Sequence, residues 1–126
     1  PPPERRGVVL IDPPYEAADE FEQVARVFAQ AYRRFATGIY LLWFPIKSAS
    51  AANAFCAEVL SAGVAKALRV DIDVGASAGD KLRAAGLLIV NPPFGIEGEM
   101  LAALQAVTPR LADTAKVSVS SILEGA

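Results

Sequence analysis

The chain has 126 residues, 53% of them hydrophobic and 21% charged, which suits one small domain with a buried core and not a disordered tail. Twelve basic and 14 acidic side chains leave a formal net charge of -2, so the basic excess that grips a phosphate backbone through counterion release is missing. Histidine is absent and Cys56 is the single cysteine, which excludes Ser-His-Asp and Cys-His triads, His-ligated metals, thiolate clusters and internal disulfides. No metal is expected. No apolar run approaches the ~20 residues of a membrane-spanning helix. The opening Pro1-Pro2-Pro3-Glu4-Arg5-Arg6 reads as a linker, and no apolar stretch of signal-peptide length follows it. A start at proline, not methionine, suggests a piece of something longer. The basic pairs Arg5-Arg6 and Arg33-Arg34 read as solvated surface.

Gly7-Val8-Val9-Leu10-Ile11 is a continuous apolar run stopped by Asp12-Pro13-Pro14. It predicts a strand buried on both faces, ended by prolines that cannot donate to a ladder. From Asp19 the period changes. Phe21, Val24, Ala25, Phe28, Ala31, Tyr32 and Phe35 fall on one helical stripe, with Asp19 and Glu22 as a cap-like start and Arg33-Arg34 where cations suit the helix dipole. Thr37-Gly38 precedes a second apolar strand, Ile39-Tyr40-Leu41-Leu42-Trp43-Phe44, stopped by Pro45. A helix from about Ser48 to Ala62 follows, with Ser48 as N-cap and Gly63 as C-terminal cap. Its apolar face holds Ala52, Phe55, Cys56 and Val59, and Cys56 reads there as a small buried hydrophobe.

Leu68, Val70, Ile72 and Val74 alternate with Ala67, Arg69, Asp71 and Asp73, as in a half-buried strand at or near a sheet edge. After a small-residue loop from Gly75 to Gly79, Gly86-Leu87-Leu88-Ile89-Val90-Asn91 gives another apolar strand, ended by Pro92-Pro93. A helix from about Glu97 to Val107, interrupted near Pro109, and an alternating strand from Val117 to Leu123 complete the chain. The alternation of strands and helices predicts an α/β fold: a mainly parallel sheet flanked by helices, with an antiparallel tail strand.

Open parallel sheets build their sites at the carboxyl ends of strands, where Asp12-Pro13-Pro14-Tyr15 stands. A carboxylate and the carbonyl of Pro13 can each accept a hydrogen bond from an exocyclic amino group. Two such acceptors hold the nitrogen pyramidal and keep its lone pair out of the ring. The prolines fix φ and preorganise the acceptors, and Tyr15 offers a face on which a flipped base can stack. The pattern of Asp or Asn, Pro-Pro and an aromatic resembles the acceptor-amine motif of amino-methyltransferases that use S-adenosylmethionine. Asn91-Pro92-Pro93-Phe94 matches it too. Asp12 is preferred: an ionised carboxylate makes stronger charge-assisted hydrogen bonds than an amide and can take up the proton lost on methylation. Its strand also belongs to the regular strand-helix alternation, whereas the Asn91 strand falls in the tail.

The resemblance extends to Arg5 through Glu16, to Tyr32 through Tyr40 with Leu42-Trp43-Phe44-Pro45, and to Gly86 through Phe94, in order. Together these segments resemble the bacterial 23S ribosomal RNA adenine-N6 methyltransferases of the J type, once described as putative DNA methylases. The resemblance implies a Rossmann-like class I methyltransferase fold of seven strands, of which residues 1–126 form one partial domain, the C-terminal half. It implies S-adenosylmethionine as cofactor, 23S ribosomal RNA as partner and a cytoplasmic location. It makes Asp12 the proton acceptor, lying against the cofactor, and Pro13, Pro14 and Tyr15 the frame of the adenine; the second Pro-Pro segment is not catalytic in that family. The glycine-rich cofactor loop, the acidic residue for the ribose and an N-terminal substrate-contacting segment have no counterpart here. Two other expectations stand beside this one: a DNA adenine or cytosine amino-methyltransferase with the same motif, and a non-catalytic half-domain that self-associates through an exposed sheet edge.

Overall fold

A computed structural model describes residues 7–15, 19–75, 83–111 and 115–123. The proline-rich opening with Arg5-Arg6 and most of the Gly75–Gly79 loop lie outside the described residues. The elements run β1 (Val8–Ile11), α1 (Glu20–Arg34), β2 (Ile39–Pro45), α2 (Ala49–Leu60), β3 (Lys66–Asp73), β4 (Ala84–Val90), α3 (Ile96–Leu111) and β5 (Lys116–Leu123). One sheet holds all five strands in the order β1-β2-β4-β3-β5.

The fold is α/β with flanking helices, as the alternation implied. Of the ladders, β1–β2 is parallel, while β4 is antiparallel to both β2 and β3, and β5 is antiparallel to β3. Strands β1, β2 and β3 therefore point one way and β4 and β5 the other. The antiparallel strand bearing Asn91 is no tail; it is the centre of the sheet. A hairpin return from β3 puts it there, with Val74 N–H donating to Arg83 O at 2.9 Å.

The period of two in β2 divides its side chains between two cores. Tyr40, Leu42 and Phe44 are fully buried on one face. There they meet Val24, Ala25 and Phe28 of α1 and Ala52, Phe55, Cys56 and Val59 of α2. Ile39 and Leu41 point the other way, to a smaller core of Leu68, Val70 and Ile89 covered by Ile96, Met100 and Leu104 of α3. Those three α3 residues recur every four positions and so form one stripe. The result is three layers, α1 and α2, the sheet, and α3.

Helix α1 begins at Glu20 as its pattern required, but the Asp19 side chain makes no cap bond to the backbone. It accepts instead from Gln23 Nε2 at 2.7 Å. At the other end the Phe35 N–H donates to Ala31 O, and the Tyr40 hydroxyl reaches the carbonyls of Phe35 (2.7 Å) and Ala31 (3.1 Å). Ser48 caps α2, its hydroxyl accepting from Ala51 N at 3.1 Å, and Gly63 takes the positive φ of 101° that glycine tolerates best.

The sheet is mixed and not mainly parallel, since one of its four ladders is parallel and hairpin pairing of β3 with β4 makes antiparallel neighbours; two further expectations need correction. Strand β1 is not buried on both faces: Val8 and Leu10 are 65% and 66% exposed. It ends the sheet, and its inward residues Val9 and Ile11 pack on the larger core while α3 lies over the far strands. Helix α3 does not break near Pro109 but continues to Leu111. So late in the helix the proline forfeits a single ladder bond, and Thr108 Oγ1 donates back to the Leu104 carbonyl.

Gly86 lies opposite Phe44 in the β2–β4 ladder, and a Cβ there would come within 2.2 Å of the buried Phe44 ring. Gly86→Ala is expected to cost about 1–3 kcal/mol through overpacking, read as a lower urea midpoint at unchanged slope.

Candidate acceptor loop at the sheet rim

Asp12 follows the last ladder residue of β1 directly. Ile11 pairs with Leu42, so the next step of the register sets Asp12 level with Trp43, at the carboxyl ends of β1 and β2. The carboxylate is exposed. Among the described residues the ion pairs are Arg69–Asp71 at 2.9 Å and Arg83–Asp73 at 3.0 Å, and Asp12 is in neither. Pro13 is half-buried and Pro14 exposed, so the loop crosses the rim with two backbone φ angles fixed by proline.

Tyr15 ends this span in a left-handed conformation, φ 54°, unusual for a residue with a side chain. Its ring turns back into the protein, 5.2 Å from Phe21 of α1 and 5.8 Å from Trp43 of β2. Phe21 continues the aromatic chain to Phe55, and Phe55 to Phe44. The Tyr15 hydroxyl is buried and has no hydrogen-bond partner among the described residues. Burial first, then the carboxylates of Glu20 and Asp12 and the Cys56 thiol, raises its phenol far above the ordinary value. The sequence reading gave Tyr15 a free stacking face; part of that ring is already taken by Phe21 and Trp43, a packing no local motif reveals.

The second motif has a different setting. Because β4 runs against β2, with Tyr40 opposite Val90, Asn91 emerges beside the amino end of β2. Four residue levels separate it from Asp12, about 13 Å along the strands. Its side-chain amide donates to Ala36 O and to Gly38 O, both at 2.8 Å, and its N–H donates to Lys66 O at 3.0 Å. Asn91 thus ties the α1–β2 connection to the sheet, with its own φ at 57°. Asn91, Pro92, Pro93 and Phe94 also line an open cleft of about 580 Å³ with Ala36, Thr37 and Ile39. A second cleft of about 530 Å³ lies on the other side of Phe94. Phe94 is fully exposed, and both hollows are the space beside that protruding ring. Neither touches Asp12, so cleft volume does not identify the chemistry here.

Cys56 is 4% exposed, and burial pushes its thiol up to about 11 against the lowering effect of Arg69; it is core. Arg69 donates to Asp71 and to Asn53 and lies 5.6 Å over the Phe44 ring, fastening β3 to α2. Among the described residues no cluster of His, Cys, Asp and Glu could hold a metal ion, and no helix is long and apolar enough to cross a membrane.

A mixed sheet between helix layers, with an acid and two prolines at the carboxyl rim, is in line with the fold of S-adenosylmethionine-dependent methyltransferases. The particular family follows from comparison with known proteins. Residues 1–122 match the family model described as ribosomal RNA large subunit methyltransferase D, RlmJ, and the chain belongs to that family. It is 35% identical over 112 residues to ribosomal RNA large subunit methyltransferase J of Haemophilus influenzae, covering 88% of this chain and 40% of that protein. With the Escherichia coli protein of the same name it shares 36% over 101 residues, 79% of this chain and 36% of that protein. A crystal structure of protein LPL1258 from Legionella pneumophila, assigned to the family model DUF519, superimposes with a TM-score of 0.88 at 26% identity, over 98% of this chain and 46% of that one. The chain therefore spans less than half the length of these relatives.

Asn91→Ala would leave two carbonyls without their donor, an expected loss of about 1–3 kcal/mol measurable by thermal or urea unfolding.

Proposed function

We propose that the protein carrying this chain transfers a methyl group from S-adenosylmethionine to N6 of an adenine in 23S ribosomal RNA, in the cytoplasm. In this reading residues 1–126 are the acceptor-binding half of its methyltransferase domain, and the glycine-rich cofactor loop belongs to the remaining length that the relatives have. The observation that carries the assignment is the exposed Asp12 carboxylate, free of the ion pairs described above and set on a diproline loop at the carboxyl rim.

The residues fit the cofactor's needs in one respect: an exposed carboxylate at the rim, without an ion pair among the described residues, can face a sulfonium and the amine it methylates. When bound, S-adenosylmethionine supplies an electrophilic methyl carbon. Asp12 accepts a hydrogen bond from the adenine amino group and the Pro13 carbonyl accepts the other, so the nitrogen lone pair is freed and aimed. Asp12 would take up, directly or through water, the proton that the amino nitrogen loses as the methyl group passes to it from sulfur and the thioether departs. Pro14 keeps the two acceptors at fixed separation, and most of the rate gain is positional. The exposed remainder of Tyr15 stacks on the base.

In the full-length protein Asp12→Ala is expected to reduce methyl transfer to a 23S ribosomal RNA transcript by at least a thousandfold with folding intact. Asn91→Ala should retain turnover at a temperature where it stays folded. The reverse pattern would exchange the roles of the two motifs, and methylation of duplex DNA but not RNA would favour a DNA amino-methyltransferase.

A second reading has its own observation. Among the described residues strand β1 ends the sheet with no partner on its outer edge, and Val8 and Leu10 expose most of their surface on one face. By itself the 126-residue chain is proposed to self-associate there, since such an edge templates strand addition. Sedimentation should show concentration-dependent dimers that Val8→Lys with Leu10→Lys abolishes; a monomer at 100-fold varied concentration would refute this reading.

A further inference from the structure

We propose that Trp43 and Phe21 are positioning residues of the acceptor loop: they grip the Tyr15 ring and so hold Asp12 in its working geometry. The inference rests on the assignment of Asp12 above and extends it to two residues that bear no motif.

Five residues lead from the sheet to the grip. Ile11 is fixed by its ladder partner Leu42, and Pro13 and Pro14 have no φ freedom. The open question for this span is what fixes its far end. Tyr15 has a left-handed φ of 54°, a conformation that persists at a side-chain-bearing residue only where the surroundings impose it. The surroundings here are two rings from different elements, Phe21 in the first turn of α1 and Trp43 in β2, with centroids 5.2 and 5.8 Å away and tilted at 52° and 54°. Tilted pairs at these separations are attractive beyond simple burial. They hold the ring inward although its buried hydroxyl has no partner among the described residues.

Trp43 stands one residue beyond Leu42, the ladder partner of Ile11, so it lies at the same rim as Asp12 and meets the loop at Tyr15. Phe21 in turn leans on Phe55, 4.9 Å away, and Phe55 on the fully buried Phe44. The grip is therefore continuous with the main core, and a loop made of exposed and half-buried residues acquires core rigidity at one point. Without it, Asp12 would keep its anchor at Ile11 and lose the other. Misplacement of a catalytic group by about 1 Å is known to cost on the order of a hundredfold in rate.

The test uses Trp43→Ala, Trp43→Phe and Phe21→Leu, with two readouts. In the 126-residue chain, NMR of ¹³C-labelled tyrosine, assigned with Tyr15→Phe, follows the Tyr15 titration. Trp43→Ala should bring it down toward that of an exposed tyrosine, and Trp43→Phe should leave it high. In the full-length protein, Trp43→Ala should lower kcat for RNA methylation at least tenfold while KM for RNA stays within threefold. Trp43→Phe should recover kcat to within threefold of wild type, and the pH profile should keep its shape in both. Phe21→Leu should follow Trp43→Ala in both readouts and carries the test should Trp43→Ala not fold. An unchanged Tyr15 titration in folded Trp43→Ala, or a released Tyr15 with kcat within twofold of wild type, would overturn the proposal. If instead Asp12→Ala is as active as wild type, the Asp12 assignment falls, and the tyrosine titration still decides whether the grip exists.

Discussion

A short span of chain, anchored in the β1–β2 ladder at Ile11 and in an aromatic cluster at Tyr15, is the constraint on which the chemistry proposed for this molecule depends. Between the anchors lie an acid and two prolines. A carboxylate on a free loop would sample many positions, and each immobilisation at the moment of reaction would be paid in entropy. Here most of that ordering is done on folding, by burial of Phe21, Phe55 and Phe44 in the same core that holds α1 and α2 to the sheet. Fold stability and acceptor geometry thereby share a cause, and the residues that transmit it are apolar.

Strand polarity separates the two look-alike segments. Asp12-Pro13-Pro14-Tyr15 and Asn91-Pro92-Pro93-Phe94 have the same string logic, and each follows an apolar strand. But β4 enters the sheet antiparallel between β2 and β3, which sends its carboxyl end to the opposite rim. There the Asn91 amide serves two backbone carbonyls, work for which an amide suits and a carboxylate, lacking any donor, does not. At the Asp12 rim the proposed chemistry reverses the requirement: an acceptor that can also take a proton. The chemical distinction between Asp and Asn matches the two places to which the topology assigns them.

The single exposed face of β1 follows from the same layering. Val9 and Ile11 meet the α1–α2 core, while Val8 and Leu10 stand on a face where α3 covers other strands. Among the described residues this all-apolar strand has one uncovered face and one edge without a partner, and the chain accounts for 36% to 46% of the length of its relatives.

Local chemistry alone determined much of this. The period of 3.6 in α1, the cap at Ser48, the proline stop after β1 and the small buried side chain of Cys56 all depend on near neighbours, and each lies where the pattern put it. The family was legible too, since motif order along a chain survives without any three-dimensional knowledge. Tertiary structure alone decided what depends on distant partners. It inserted β4 into the middle of the sheet, carried α3 past Pro109 and left one side of β1 bare. It also turned the Tyr15 ring inward onto Phe21 and Trp43, because apolar periodicity records that a side chain will be covered and not which element will cover it.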